Sequence, residues 1–382
     1  MKRIIAFFMM FSVFMLGTVT CFAETEEKKE DESIEKAKSA ILMCMDTGDI
    51  IYEKNAYEHC SPASVTKVMS ILLILEAIDS GKISLTDSVA ASENAVAMGG
   101  SQIWLEVGEK MTVDELLKAV VVASANDACM ALGEYIAGSD TGFIKMMNDR
   151  AKELGLENSN FENCTGLDDT VTNHYSCAYD LAVIAKEVMK HESIKNYTSI
   201  WLDSLRNGKT ELNNTNKLVN TYKGITGLKT GTTSNAGFCL CATAERDGMN
   251  LVAVVLGCET SDVRFESATN LLDFGFANYE LAEPQFDQSK ITDVRIKNGI
   301  EKSISPSLAD AEKILVAKGS GEIEYTYEIN TEMQAPVNKG DKLGTIVLKS
   351  GDDIIKTVYL KSDKDVKKIS FSFIFTKMLK NI

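Results

Sequence analysis

Residues 64–78 carry Val65, Val68, Met69, Ile71, Leu72, Leu73, Ile74 and Leu75, apolar positions on almost every side of a 3.6-residue period. That pattern predicts a helix buried on all faces. Before it, the apolar runs 37–45 and 50–54 flank Asp46-Thr47-Gly48-Asp49, which reads as a hairpin. Further helices are predicted over 113–122, 127–136, 142–154 and 178–189, where apolar residues recur every three or four positions. Strands follow over 237–244 and 251–258, separated by the turn Glu245-Arg246-Asp247-Gly248, and a closing helix over 267–279. This order of elements predicts an α+β domain over residues 37–283. Beyond Pro284 the pattern changes to alternation, as in Ile323, Tyr325, Tyr327 and Ile329, with turn-spaced glycines and a last strand through Ile354, Ile355, Val358 and Leu360. A small all-β domain over 284–362 is expected there.

The ends of the chain read differently. Lys2 and Arg3 precede an apolar run from Ile4 to Leu16 and small or polar residues up to Ala23, the pattern of a signal peptide over residues 1–23. The run is shorter than the roughly 20 residues a spanning helix needs. Residues 24–36 are nearly all charged and are expected to form a flexible leader. The last residues, 363–382, mix Phe371, Phe373, Phe375, Met378 and Leu379 with lysines at their margins, which predicts an amphipathic helix lying on a membrane surface. A strand or helix packed on the β domain is the alternative, since Phe371-Ser372-Phe373 also alternates.

At 382 residues with 45% hydrophobic and 25% charged content, the chain can bury sizeable cores. Its formal charge of −15 becomes −17 without the first 23 residues, so a nucleic-acid partner is excluded on electrostatic grounds. Nine cysteines in an exported chain would normally suggest disulfides, but Cys44, Cys129, Cys239, Cys241 and Cys258 sit inside apolar segments, where a thiol behaves as a small hydrophobe. Few or no bridges are expected. Cys239 and Cys241 alternate along a strand, and the only histidines are His59, His174 and His191, so no metal-ligand spacing stands out and no cofactor is implied.

Three short patterns carry the chemistry. Ser64-Val65-Thr66-Lys67 opens the buried helix, and the i, i+3 spacing places Ser64 and Lys67 on one face. A serine is a poor nucleophile until a base takes its proton, and a desolvated lysine can be that base. Alone the pattern is weak: Ser64 could simply cap the helix, and Ser33-Ile34-Glu35-Lys36 also fits. Ser124-Ala125-Asn126 falls at a break between two helices; helix capping explains it equally well, and Ser92-Glu93-Asn94 is a second match. Lys229-Thr230-Gly231, followed by Thr232, precedes a strand and suits recognition of a carboxylate, although a solvated edge-strand lysine would read the same way.

In this order, spaced by 60 and then 105 residues, the three patterns point one way together. S-x-x-K, S-D-N and K-T-G mark penicillin-binding proteins and class A β-lactamases. With LGLENSNFENCTGLDD from Leu154, NNTNKLV from Asn213 and GLKTGTT from Gly227, the chain resembles the D-alanyl-D-alanine carboxypeptidases, low-molecular-mass penicillin-binding proteins of serine peptidase type. The resemblance implies a penicillin-binding/β-lactamase-like transpeptidase domain followed by a small all-β domain. It also implies a peptidoglycan stem peptide ending in D-Ala-D-Ala as substrate, β-lactams as covalent inhibitors, and action at the outer face of the cytoplasmic membrane. Residue by residue it makes Ser64 the nucleophile, Lys67 its base, Ser124 a proton relay and Asn126 an orienting group. Lys229 and Thr230 would hold the terminal carboxylate, Gly231 would allow close backbone approach, and the N–H groups of Ser64 and Thr232 would form the oxyanion hole. Family members often have Gly at position 125 and His at 232; the role of Thr232 needs only its backbone.

Two readings compete. A class A β-lactamase resembles its relatives in a Glu-x-x-Leu-Asn segment, and the nearest counterpart, Glu153 to Glu157, lacks the asparagine. A non-catalytic wall-binding protein of the same fold is disfavoured because all the chemistry-bearing residues are present. His174-Tyr175-Ser176 invites a Ser-His-acid triad, but a lysine base leaves the histidine no task.

Overall fold

The computed structural model describes residues 34, 36–169, 171–308, 313–351 and 353–379; the expected signal peptide and nearly all of the acidic leader lie outside them. The first domain is built on a five-stranded antiparallel sheet of order β2-β1-β5-β4-β3, formed by β1 (Ser39–Cys44), β2 (Ile50–Lys54), β3 (Ile225–Thr233), β4 (Gly237–Arg246) and β5 (Met249–Cys258). Its central strands bury both faces, which is why β5 reads as a continuous apolar run rather than an alternation. Ile41, Met43, Val252, Val254 and Leu256 face a helical layer, whereas Ala40, Leu42, Cys44, Leu251, Ala253 and Val255 face the opposite way. The helical layer holds α1 (Lys67–Asp79), α2 (Val113–Val122), α3 (Asn126–Ala137), α4 (Asp140–Glu153) and α5 (Ala178–Met189), and α6 (Ser261–Asn278) covers the other face.

Helix α1 is the centre of that layer, with Val68, Met69, Ile71, Leu72 and Ile74 fully buried. Helix α2 starts where a capping box fixes it: Thr112 Oγ1 accepts from the Glu115 N–H, and the Glu115 carboxylate accepts from the Thr112 N–H. The hairpin and the helices over 113–122 and 178–189 stand where the periodicity predicts them. Helix α6 begins six residues earlier than its apolar pattern, because Thr260 caps it through the Val263 N–H ahead of a polar first turn. Ile34, inside the expected leader, is buried against the α6-side core.

The second domain is all-β and has two small cores. One gathers Val294, Ile296, Ile304, Val337, Leu343 and Val366; the other gathers Ile314, Val316, Ile346, Leu348, Val358 and Leu360. The predicted alternation appears in Glu324–Ile329, which pairs with Lys342–Ser350, itself paired with Asp353–Lys361. Strand Tyr279–Ala282 leaves α6 and pairs with Ile314–Ala317, so the crossing between domains is itself a strand pairing. Residues 363–369 stay attached to this domain: Val366 is buried and exchanges backbone bonds with Val337, and the Ile369 N–H donates to Asn298 O. A helix then spans Phe371–Leu379, with Phe371, Ile374 and Phe375 exposed. Among the described residues no helix is long and apolar enough to cross a membrane, and the eight described cysteines are buried and unbridged.

Candidate active site

The turn that carries Ser64 is not the first turn of α1. Residues Ala63–Thr66 form a 3-10 turn, entered through Ala63 at φ +47°, and α1 begins only at Lys67. Ser64 therefore caps nothing. Lys67 Nζ donates to Ser64 Oγ at 2.9 Å and to Thr165 O at 2.8 Å, and the lysine is wholly buried. Burial penalises its charged form and brings its pKa down to about 8. The carbonyl of Thr165 reaches it because Asn163 Oδ1 accepts from the N–H groups of Thr165 and Gly166 and folds that loop inward. Gly166, at φ +83°, passes so close that a Cβ would lie 1.7 Å from Ala63 O.

Ser124 and Asn126 sit at the entry to α3. Neither side chain caps the helix, for which Ala125 is the N-cap residue. Ser124 adopts φ +62°, a conformation that is uncommon for a residue with a side chain. Its Oγ and Asn126 Oδ1 are buried with no hydrogen-bond partner among the described residues. Asn126 is oriented from the other side, its Nδ2 donating to Gly99 O at 2.7 Å and its N–H to Ser101 O at 2.7 Å. The look-alike Ser92-Glu93-Asn94 is structural: Ser92 caps a short helix through the Ala95 N–H, and Ser92 and Asn94 both bond Glu134.

Strand β3 forms the opposite wall. It is an edge strand, yet Lys229 is buried, which overturns the reading of a solvated guard lysine. Burial lowers its pKa well below the usual lysine value, and the nearby charges of Lys67 and Arg264 lower it further. The shift of Lys67 comes from burial, not from Lys229. Thr230 Oγ1 donates to Thr215 Oγ1 at 2.7 Å. Gly231 lets the strand run against the Ser64 turn: a Cβ there would lie 2.7 Å from Pro62 O and 2.9 Å from the Ser64 nitrogen. The two proposed oxyanion donors, the N–H groups of Ser64 and Thr232, thus belong to segments in van der Waals contact.

Arg264, on α6, was not legible as a site residue. It is buried beside the rings of Phe238 and Phe265, and its Nη1 donates to Gly231 O at 3.1 Å and Thr232 Oγ1 at 3.0 Å. Its one sequence trace is a position in a polar segment that hides the first turn of α6. Asp168 accepts from Ser61 Oγ at 3.0 Å and Thr233 Oγ1 at 2.6 Å, fastening the loop before α1 to the end of β3. Thr165, Gly166, Asp168 and Thr215 all lie in segments that carried the resemblance, but spacing alone assigned them nothing.

The decoys fall away. His174 accepts from the Glu162 N–H at Nδ1, so Nε2 carries the proton toward Thr66 Oγ1 at 2.8 Å; burial lowers its pKa to about 4 and keeps it neutral. Glu153 pairs with Arg150, and Glu157 is exposed.

The chain is similar to known proteins along nearly its whole length. A family model described as D-alanyl-D-alanine carboxypeptidase matches residues 24–260, and one described as penicillin-binding protein 5, C-terminal domain, matches 279–368. D-alanyl-D-alanine carboxypeptidase DacF of Bacillus subtilis is 41% identical over 97% of this chain and 96% of its own. D-alanyl-D-alanine carboxypeptidase DacC of Escherichia coli is 33% identical over 86% of this chain and 83% of its own. Among solved structures, penicillin-binding protein 5 of Haemophilus influenzae superposes with a TM-score of 0.78 at 32% identity, covering 87% of this chain and 98% of that one. Penicillin-binding protein D2 of Listeria monocytogenes in its ampicillin-bound form matches with a TM-score of 0.58 at 31% identity, over 63% of this chain and 98% of that one.

Proposed function

As a member of the D-alanyl-D-alanine carboxypeptidase family, the chain is a serine-type carboxypeptidase hydrolase, and we propose that it removes the terminal D-alanine of peptidoglycan stem pentapeptides through an acyl-enzyme on Ser64. The observation that supports this most is the 2.9 Å contact between Ser64 Oγ and a fully buried lysine. A lysine with a pKa of about 8 is neutral in a useful fraction of molecules near neutral pH. Neutral Lys67 takes the Ser64 proton as Oγ adds to the carbonyl carbon of the penultimate D-alanine. The oxyanion is met by the N–H groups of Ser64 and Thr232. The C–N bond then breaks, and the departing D-alanine nitrogen receives the proton from Lys67 through Ser124. Water, giving its proton to Lys67, hydrolyses the ester and Ser64 regains its hydrogen.

The other groups bind and orient. Asn126 orients the substrate amide rather than Lys67, which bonds Ser64 and Thr165; the Asn126 Oδ1 and Ser124 Oγ, unpartnered among the described residues, gain hydrogen bonds from the substrate. Lys229 and Thr230 receive the terminal carboxylate, and that anion favours the charged form of Lys229 that burial otherwise opposes. β-Lactams enter the same cleft and acylate Ser64. Residues 1–23 direct export, the leader ends before Ile34, and the catalytic domain is followed by a β domain that runs on to Ile369. The C-terminal tail lies on the outer face of the cytoplasmic membrane.

The test is release of D-alanine from an N-acetylated stem pentapeptide ending in D-Ala-D-Ala. The mature protein is expected to release one D-alanine per peptide, and Ser64→Ala to reduce this to background with an unchanged melting temperature. Undiminished release contradicts the reading. A benzylpenicillin adduct that turns over as fast as the peptide would instead mark a β-lactamase.

A further inference from the structure

We propose that the surface around Trp104 is a second binding subsite of the cleft, one that takes the pyranose rings of an N-acetylated glycan such as the strand that bears the stem peptide; this rests on the carboxypeptidase reading above. Trp104 is 74% exposed and Val107 is 60% exposed, both on the loop that leads away from Asn126. Trp104 also adopts φ +59°, a region that a bulky side chain enters only when its surroundings force it.

The surroundings do so from two sides. The Asp127 carboxylate, next to Asn126, accepts from the N–H groups of Ile103 at 3.1 Å and Leu105 at 3.1 Å. Arg206 donates to Ile103 O at 2.8 Å and Trp104 O at 3.4 Å from across the groove. Its remaining donors go to Glu109 Oε1 at 2.7 Å, Glu109 Oε2 at 2.9 Å and Thr210 Oγ1 at 2.8 Å. All five guanidinium hydrogens are thereby used, so Arg206 is a clamp and not an anion hook. A strained backbone is held at four points to present an indole that buries little of itself.

That indole borders a cavity of about 720 Å³ whose lining also carries Glu106 and Lys209, one charge of each sign beside the Arg206–Glu109 pair. A charge-balanced groove with an exposed aromatic plate and hydrogen-bonding rims matches an uncharged sugar, whose C–H face covers the ring while its hydroxyl and acetamido groups meet the rim. Holding the plate rigid beforehand removes the ordering cost from binding.

Two measurements on the full mature chain test this. The protein has two tryptophans, so in Trp201→Phe the emission reports Trp104 alone. Titration with the N-acetylglucosamine tetramer is expected to shift that emission to the blue and saturate. In kinetics, Trp104→Ala is expected to raise KM about three- to tenfold for a stem pentapeptide carried on a disaccharide, with kcat unchanged and the sugar-free pentapeptide unaffected. Trp104→Phe restores most of the loss. An unmoved emission, or a Trp104→Ala effect that is equal on both substrates, overturns the proposal. If the wild-type protein releases D-alanine from neither substrate, the carboxypeptidase reading fails and the tetramer titration alone decides the subsite.

Discussion

The Lys67 side chain is wholly buried, and the consequences can be read in two pH dependences. With the neutral amine as the proposed base and a pKa of about 8, kcat/KM is expected to rise about tenfold per pH unit below that value and then level off. A profile flat from pH 6 to 9 contradicts a lysine base. Stability follows the same ionisation. The folded pKa is depressed from 10.5, so burial of the charged form costs stability below about pH 8, and that cost is relieved as pH rises toward the unfolded value. The stability advantage of Lys67→Met over wild type is expected to shrink by about 3 kcal/mol between pH 7 and 11, measured by urea unfolding. A pH-independent difference would mean that Lys67 does not change its pKa on folding. Ser124 belongs to the same scale. Its left-handed backbone and unpartnered hydroxyl are local costs that neither capping nor packing explains.

At the scale of elements, the site depends on three segments meeting closely: the turn Ala63–Thr66, the loop through Gly166, and β3. Gly231→Ala would put a methyl against the backbone of Pro62 and the Ser64 nitrogen. Because those neighbours are main chain, the strand must move, and acylation by benzylpenicillin is expected to slow at least about tenfold with a loss of about 1–3 kcal/mol in stability. Stopped-flow acylation and thermal unfolding check this, and an unchanged acylation rate would deny the close approach its role. How much of this was legible follows from what each element is made of. Helix α1 and strands β4 and β5 announce themselves because burial on all sides demands apolar residues throughout. Strand β3 does not, since Gly227, Thr230, Gly231 and Thr232 are chosen for approach and polarity rather than packing. The motifs made Ser64, Lys67, Ser124, Asn126 and Lys229 visible, whereas Arg264 and the Thr165 carbonyl act through distances that only folding creates.

For the whole molecule, an acidic two-domain body carries at its end a short helix whose Phe371 and Phe375 rings stack and face outward. Val366 is part of the β-domain core, so a truncation that tests anchoring must start after Ser370. Removing residues 371–382 is expected to move the mature protein from membranes to the soluble fraction, with penicillin binding retained; a truncated protein still sedimenting with membranes contradicts the anchor. The central claim concerns one serine among all those in the chain. It is tested most directly by trapping the full mature protein with benzylpenicillin, digesting it with trypsin and locating the added mass by fragment spectra. The account predicts a single adduct on peptide 55–67, on Ser64 and not Ser61, and none after Ser64→Ala. An adduct on any other residue, or one that persists in the Ser64→Ala protein, would contradict it.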